Sequence, residues 1–352
     1  MKSLSKINLF DFDQEHLKNY LCYAGEKPYR AAQIINWLHQ RGVTNFDQMT
    51  NLSLKLRTYL AENTDNILPE IIDEQISNDG TRKFLFKLKD GEMVETVYIP
   101  ERNRATLCIS SQIGCPLNCQ FCATATLGFK RNLTTAEIIG QLWQVIKKME
   151  NGGFAKDRII TNVVMMGMGE PLLNLDNVIR SLNLMMDDNA YGLSKYRVTV
   201  SSAGITPNLY KLRQHSNCSL AISLHAPNDE LRSKIMPVNR KYPLKGLIIA
   251  CKDFFAKEKR RAVTFEYVML KDVNDSQKHA KELVKLLSQM RSKVNLIPFN
   301  SFPGCNYEPS TADAIEKFRA ILIKAGINTI VRKARGDDIA GACGQLAAEV
   351  GD

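Results

Sequence analysis

Residues 114–122 read GCPLNCQFC, and this stretch decides the fold. It places Cys115, Cys119 and Cys122 in a C-x3-C-x2-C spacing, and Cys108 precedes the first of them by seven residues. Three thiolates on one short loop are one fewer than a closed four-cysteine iron–sulfur cluster requires. A [4Fe–4S] cluster held in this way keeps one iron open, and an open coordination position indicates a chemical site rather than a structural one. The spacing therefore predicts an enzyme.

A zinc site is the alternative interpretation of the same thiols. A fourth ligand elsewhere, such as Cys108 or Cys343, would complete a zinc knuckle and make the chain a zinc-containing nucleic-acid-binding module. Zinc sites usually combine paired C-x2-C units, whereas this chain has one compact group of three cysteines. The iron–sulfur cluster is therefore favoured.

Beyond residue 104, candidate strands alternate regularly with candidate helices. This alternation predicts an α/β fold with a parallel sheet. Six strand–helix units are fewer than the eight of a complete barrel, so we expect a partial, open (β/α)6 barrel whose site lies at the carboxyl ends of the strands. The predicted strands span residues 105–111, 162–167, 197–202, 220–225, 263–270 and 293–300.

The first hundred residues have a different pattern. Apolar residues at helical spacing predict helices between residues 14 and 64. The turns at 78–80 and 90–91 then separate short alternating strands. The sequence thus predicts four units, which are a small helical N-terminal domain (1–65), a β linker (66–103), the barrel (104–335) and a C-terminal loop (336–352).

Charge and apolar content limit the location and the partners of the chain. Residues 1–100 carry 12 Lys+Arg and 14 Asp+Glu, whereas residues 101–352 carry 35 and 23. A basic domain favours a polyanionic partner such as nucleic acid, although a solvated basic surface would have the same composition. The chain has no secretory signal, no membrane-spanning run and an odd number of cysteines, nine. These features predict a cytoplasmic protein that does not bind a membrane and keeps its cysteines reduced.

The cysteine loop resembles that of the radical S-adenosylmethionine (SAM) superfamily. Phe121 between the last two cysteines fits the aromatic residue usual there, and MMGMGEP at 165–171 resembles the superfamily's glycine-rich motif. The resemblance implies a cluster on Cys115, Cys119 and Cys122 whose free iron chelates SAM. A single serine at a strand end more often caps the next helix than binds a ligand. The further candidates for SAM contact are therefore favoured only because they all lie at the same ends of the predicted strands. The implied SAM contacts are Gly169, Glu170, Ser201, Ser223, Leu224, His225 and Asn300.

Five stretches together closely resemble the RlmN-type RNA (adenine-carbon 2) methyltransferases and their relative Cfr, which methylates carbon 8. The resemblance runs from residue 20 to residue 347, nearly the whole chain. The stretches are GCPLNCQFCATATLGFKRNL, MMGMGEPLLN, SLHAP, NLIPFN and RGDDIAGACGQLA.

The resemblance implies a reaction that uses two SAM molecules per turnover. One SAM methylates Cys343, and the second yields a radical that abstracts hydrogen from that methyl group. The resulting carbon radical adds to the adenine ring, Glu95 accepts the ring proton, and Cys108 attacks Cys343 to release the product through a transient disulfide. Sulfur suits both tasks, because a thiolate is nucleophilic and also leaves through disulfide exchange.

The resemblance also implies the partners. Family members act on an adenosine in 23S rRNA and on one in tRNA, both in loops where a base can be turned out of its stack. The helical unit 1–65 is an RNA-contact element in the family, and an external electron donor of the flavodoxin or ferredoxin type is expected. Two alternatives stay open within the superfamily. A Cfr-type carbon-8 enzyme shares every motif named here, and a radical SAM enzyme that does not methylate would leave Cys108 and Cys343 unused.

Overall fold

The computed structural model describes residues 6–153, 159–258 and 260–348, so the end of the predicted C-terminal loop, 349–352, lies outside the described residues. The strands are β1 (Ile7–Asn8), β2 (Thr64–Asp65), β3 (Glu70–Ile76), β4 (Arg82–Lys87), β5 (Met93–Glu101), β6 (Arg104–Cys108), β7 (Gln112–Gly114), β8 (Phe129–Asn132), β9 (Asn162–Met165), β10 (Val198–Ser202), β11 (Ser219–Ser223), β12 (Val263–Met269), β13 (Ser292–Pro298) and β14 (Asn328–Val331). The helices are α1 (Gln14–Tyr23), α2 (Arg30–Ile35), α3 (Leu54–Asn63), α4 (Ala123–Thr126), α5 (Thr135–Asn151), α6 (Leu175–Met186), α7 (Thr206–His215), α8 (Asp229–Ile235), α9 (Leu244–Phe254), α10 (Gln277–Leu287) and α11 (Ala312–Lys324).

One ten-stranded sheet organises the molecule, in the order β14-β13-β12-β11-β10-β9-β6-β5-β4-β3. Strands β6 and β9–β14 are parallel to one another. This arrangement confirms the predicted α/β fold with an open barrel. The six predicted strands are β6 and β9–β13, and β14 is a seventh parallel strand that we did not predict. The strands β3–β6 are antiparallel, and Val97 on β5 pairs with Cys108 on β6. The predicted β linker therefore continues the barrel sheet.

The barrel strands carry apolar side chains on the face that the helices cover, whereas the opposite face is mixed and includes the polar Glu266 on β12. On β12, Phe265, Tyr267 and Met269 are fully buried on one face, while Val268 on the other is 5% exposed. The helix α5, which follows the cysteine loop, begins with a capping box in which Thr134 and Glu137 each bond the other's backbone N–H. The capping box fixes where this helix begins after the β7–β8 hairpin.

The N-terminal helices pack against α5 through a core that includes Leu17, Leu21 and Leu56. Trp143 donates from Nε1 to the carbonyl of Leu38 at 2.8 Å, and Ala136 N donates to Asp11 Oδ1 at 2.8 Å. These contacts hold the helical unit beside the barrel. No helix in the described ranges has both the length and the apolar character needed to cross a bilayer.

A buried glutamine on α5 joins the β3–β5 meander to the barrel, which leads to a first prediction. Gln141 Oε1 accepts from Thr96 Oγ1 at 2.7 Å and from Ser110 N at 2.8 Å, and its Nε2 donates to Ser110 O. Gln141→Met leaves these buried groups unpaired, so we expect the free energy of unfolding to fall by about 2–4 kcal/mol in denaturant titration. Gln144→Met is the matched control, because Gln144 makes one partly buried bond, to Pro69 O. Equal losses in both variants would contradict this account.

Candidate active site

The cysteine loop begins where the hairpin of β7 and β8 ends. Gly114 has φ +69°, and a Cβ there would overlap the carbonyl of Gly128, so only glycine lets the loop close on itself. Cys115 N donates to that same carbonyl at 3.2 Å. Farther along the loop, Gln120 N donates to Ile235 O at 3.0 Å. The loop is thus fixed by backbone bonds at both ends.

The three loop thiols line a common cavity of about 160 Å³ at the carboxyl ends of the strands. Burial raises the pKa of Cys115 to about 12, raises that of Cys119 well above its usual range and raises that of Cys122. Each thiol is further disfavoured as an anion by a neighbouring thiolate. All nine cysteines are free of disulfides.

These thiols fit the predicted cluster by their chemistry. Thiolates are the ligands of iron–sulfur clusters, and binding of cationic iron favours loss of the thiol protons that burial otherwise retains. Within the described residues, no group of three or more Cys, His, Asp or Glu side chains is spaced to hold a single metal ion. Polar residues at the strand ends line the same cavity as the thiols.

The turn after β9 brings a carboxylate to this cavity. Gly169 has φ +95°, and a Cβ there would lie 2.5 Å from Gln112 Cβ. Glu170 is 3% exposed, and its oxygens accept from Leu172 N at 3.0 Å and from Ala203 N at 2.7 Å. Burial raises the pKa of this carboxyl, while the two backbone donors lower it. A carboxylate has further lone pairs, so Glu170 can still accept from a ligand ammonium.

His225 lies at the end of β11 in a conformation that fixes its tautomer. Its Nδ1 accepts from Val268 N at 2.9 Å, so the ring proton is on Nε2. Burial lowers the pKa of His225 to about 3, which keeps the ring neutral. The ring packs edge-on against Phe121 with centroids 4.6 Å apart. His225 therefore presents a neutral N–H donor and an apolar face beside the cysteine loop.

The other predicted SAM contacts divide into two groups. Ser201, Ser223 and Asn300 line the cavity with Gly169, Glu170 and His225. Leu224 does not line it, because its side chain is fully buried and its N–H and carbonyl are both bonded within the protein. The structure thus brings all but one of these residues together.

Sequence reasoning missed Arg232, which supports this end of the barrel. Arg232 is fully buried on α8, and its guanidinium donates to the carbonyls of Leu224, Ala203 and Ser223 at 3.0, 2.7 and 2.9 Å. It thereby ties the ends of β10 and β11 together beneath the cavity. Nothing in the stretch NDELRSKI distinguishes this arginine from an exposed helix residue, because its partners are backbone carbonyls.

The C-terminal loop carries Cys343 to the cysteine loop. Ala123 N donates to Gly344 O at 2.7 Å, and Thr124 Oγ1 donates to Leu346 O at 2.8 Å. On the other side, Asn300 Nδ2 donates to the carbonyl of Cys343 at 3.1 Å. Cys343 is exposed and lines the cavity of the three thiols.

A second cavity of about 320 Å³ adjoins the first on the side of the meander. Cys343 and Arg332 line both cavities, and Cys108 lines the second. Burial raises the pKa of Cys108 to about 12. The two thiols that the family resemblance pairs therefore border one space, although 235 positions of sequence separate them. Three further cations line this cavity, and they are Arg104, Lys333 and Arg335.

Glu95 lies outside the residues that line either cavity. It is 1% exposed, and its Oε1 is 3.0 Å from Lys83 Nζ. Its Oε2 accepts from Ala347 N at 2.8 Å and from Ala348 N at 2.9 Å. In this conformation the carboxylate anchors the segment that follows Cys343.

The barrel, the three-thiol loop and the polar strand ends define a radical SAM enzyme. The radical SAM superfamily matches residues 109–284, and the ribosomal RNA large subunit methyltransferase N-terminal domain matches residues 7–65. A dual-specificity RNA methyltransferase RlmN of Saccharophagus degradans is 51% identical over 99% of this chain and 88% of its own length. The crystal structure of a radical SAM methyltransferase from Sphaerobacter thermophilus has a TM-score of 0.88 and 38% identity, over 97% of this chain and 100% of that one.

The chain belongs to the RlmN family of radical SAM methyltransferases. Its cofactors are accordingly an iron–sulfur cluster and SAM. Membership of an enzyme family removes the alternative of a zinc-containing nucleic-acid-binding module, and methyltransferase membership removes the radical SAM enzyme that does not methylate.

The close approach at Gly169 gives a second prediction. Gly169→Ala would push the turn away from Gln112 and displace Glu170, so we expect SAM affinity to fall at least about tenfold in anaerobic calorimetry. Gly192→Ala is the matched control, because Gly192 also has positive φ but its Cβ would meet nothing closer than 4.0 Å. Unchanged SAM affinity in Gly169→Ala would show that the turn does not position the ligand.

The neutral state of His225 gives a third prediction. The unfolded chain binds this proton below about pH 6.5, whereas the folded protein binds it near pH 3. Stability is therefore lost as the pH falls through that window, by up to about 1.4 kcal/mol per pH unit. His225→Gln should make the fall in unfolding free energy between pH 6 and pH 4 shallower, whereas exposed His215→Gln should leave it unchanged. Equal slopes in all three proteins would contradict burial of a neutral His225.

Proposed function

We propose that this protein methylates carbon 2 of an adenosine in 23S rRNA and in tRNA through a methyl group carried on Cys343. The observation that supports this most is the position of Cys343 at the wall between two cavities, one with the three thiols and one with Cys108. A carrier must meet a methyl donor on one side and an acceptor on the other. Cys343 borders both the cavity proposed for the donor and the cavity proposed for the acceptor. The relative from Saccharophagus degradans, by its name, has dual specificity for RNA.

The smaller cavity suits SAM beside the cluster. Cys115, Cys119 and Cys122 would hold the cluster, which together with SAM would supply the hydrogen-abstracting radical. Glu170 can accept from the SAM ammonium, and the Nε2–H of His225 can donate to an acceptor on the nucleoside. Gly169, Ser201, Ser223 and Asn300 complete the proposed contacts, and Leu224 would act from beneath by fixing the end of β11.

The larger cavity suits the target adenosine. Its volume is at the lower end of the range for small-ligand sites, as expected for one nucleoside turned out of a loop. Arg104, Lys333 and Arg335 line it and can contact phosphates, which position a nucleic acid without reading its sequence. The basic balance of residues 101–352 supports the same partner.

Two residues would complete the reaction after the Cys343 carbon joins the base and the resulting radical adduct gives up one electron, which a bound cluster would accept. Cys108 would attack the Cys343 sulfur, since both thiols line the larger cavity. Glu95 would accept the ring proton, although in this conformation its carboxylate binds Lys83 and the backbone of Ala347 and Ala348. Movement of residues 347–348 would free a lone pair on Glu95 Oε2. Catalytic hydrogen bonds often form only in the complex with substrate.

The choice of carbon 2 rests on overall similarity to the RlmN relative rather than on one residue. A carbon-8 enzyme of the Cfr type is the second candidate. Two SAM molecules per turnover and an electron donor of the flavodoxin or ferredoxin type belong to the same proposal. Anaerobic reaction with both RNAs and mass spectrometry of the nucleosides separates the candidates, because 2-methyladenosine supports carbon 2 and 8-methyladenosine alone would refute it.

Substitution of the two thiols gives a fourth prediction. Cys343→Ala removes the carrier sulfur, so we expect no methylated RNA. Cys108→Ala leaves the adduct unresolved, so we expect a covalent protein–RNA complex that withstands denaturing electrophoresis. Cys22→Ala is the control, because Cys22 is exposed on α1 and should leave turnover unchanged. Normal turnover of Cys343→Ala, or no adduct with Cys108→Ala, would contradict the assigned roles.

A further inference from the structure

A mostly buried polar network that the proposed reaction does not use borders the two cavities, with Glu266 lining the smaller one and Arg332 lining both. Glu266 on β12 is 4% exposed, and its Oε1 accepts from Asn295 Nδ2 at 2.8 Å. Its Oε2 has no hydrogen-bond partner among the described residues and lies 3.7 Å from Arg332 Nη1. A buried carboxylate is costly unless a charge compensates it. Arg332 supplies that charge, and the pair fixes where the guanidinium lies.

Arg332 connects this network to the two reactive thiols. Its Nη1 lies 3.9 Å from Met166 Sδ, and the backbone of Met166 lowers the pKa of Cys108 against the effect of burial. Arg332 lines both cavities, and its positive charge interacts electrostatically with Cys343 as well as with Cys108. Its side chain is 30% exposed, as expected for a residue that borders both cavities.

The resolving step needs such a cation. The thiolate, not the thiol, is the nucleophile in disulfide formation. Burial, with a smaller contribution from Cys343, raises the pKa of Cys108 to about 12, and Arg332 acts in the opposite direction. Without a positive charge at this place, little of the attacking anion would form at neutral pH.

We propose that Arg332 is a positioning residue that stabilises the anionic form of Cys108 as it attacks Cys343, and that Glu266 and Asn295 hold Arg332 in place. This inference rests on the proposed function, because the attack is the step that releases the product there. In that step a sulfur–sulfur bond forms, the bond from the Cys343 sulfur to the carbon breaks, and the carbon takes the electron pair and a proton. The step needs no external oxidant.

An aromatic disulfide reproduces this attack without RNA or SAM. The full chain with its cluster is treated anaerobically with 5,5′-dithiobis(2-nitrobenzoate), which acts as the oxidant. Exposed Cys343 forms a mixed disulfide and releases one thionitrobenzoate. Cys108 then attacks the Cys343 sulfur and expels a second thionitrobenzoate, whose absorbance gives a first-order closing rate. Acid quenching and peptide mass spectrometry identify the Cys108–Cys343 disulfide and separate it from the product of exposed Cys22.

Arg332→Met should slow the closing rate by roughly threefold or more. A rise of one pKa unit lowers the thiolate fraction about tenfold, and the greater nucleophilicity of the more basic thiolate returns about threefold. Arg332→Lys should restore part of the rate, since a lysine keeps the charge without the planar fork. Glu266→Gln should also slow closing, because the guanidinium loses its anionic anchor.

Arg261→Met is the matched control for loss of a buried arginine. Arg261 is 8% exposed and donates to the carbonyls of Asn217 and Cys218. It lies two residues before the start of β12, at the end of that strand away from the cavities. It should keep the wild-type closing rate. A wild-type closing rate in Arg332→Met, or equal slowing in Arg261→Met, would overturn the inference. If Arg332→Met does not fold, wild-type closing rates in both Arg332→Lys and Glu266→Gln would overturn it. Failure of the wild-type protein to methylate RNA would instead refute the proposed function and leave the comparison of closing rates intact.

Discussion

The hydrogen bond from Ala123 N to Gly344 O is the interaction on which the rest of the site depends. It joins the residue after Cys122, the third cysteine of the loop, to the residue after Cys343. Thr124 and Asn300 reinforce it from either side. These bonds involve only backbone groups and the short side chains of Thr124 and Asn300. They hold Cys343 between the two cavities and leave its thiol exposed.

The sheet supplies the second requirement. A parallel barrel alone would provide the cavity of the three thiols at its carboxyl edge. The antiparallel strands β3–β6 extend that sheet, and their contact with the C-terminal loop encloses the larger cavity. Glu95 on β5 holds the tail 347–348 against the extension. The small β unit thus contributes a wall of the site as well as a link between the N-terminal helices and the barrel.

The sequence was sufficient for features set by local pattern. The three cysteines that we propose as cluster ligands fall on one loop, and the six predicted strands have strong apolar runs, so local spacing was enough to indicate both. Tertiary contacts set the rest. The short strand β14 lacks such a run, Arg232 bonds to carbonyls of distant strands, and Leu224 buries its side chain and makes its hydrogen bonds through its backbone. The link between Glu266 and Arg332 joins two strands 66 positions apart, which no local pattern indicates.

The central claim is that Cys343 carries the methyl group from SAM to RNA. Isotope transfer tests it most directly. Protein loaded with a trideuterated methyl group on Cys343 is mixed anaerobically with unlabelled SAM, reductant and RNA, and the product of the first turnover is analysed by mass spectrometry. The account predicts a methyladenosine that retains two deuterium atoms, because one is lost to the abstracting radical. An unlabelled first product would contradict it.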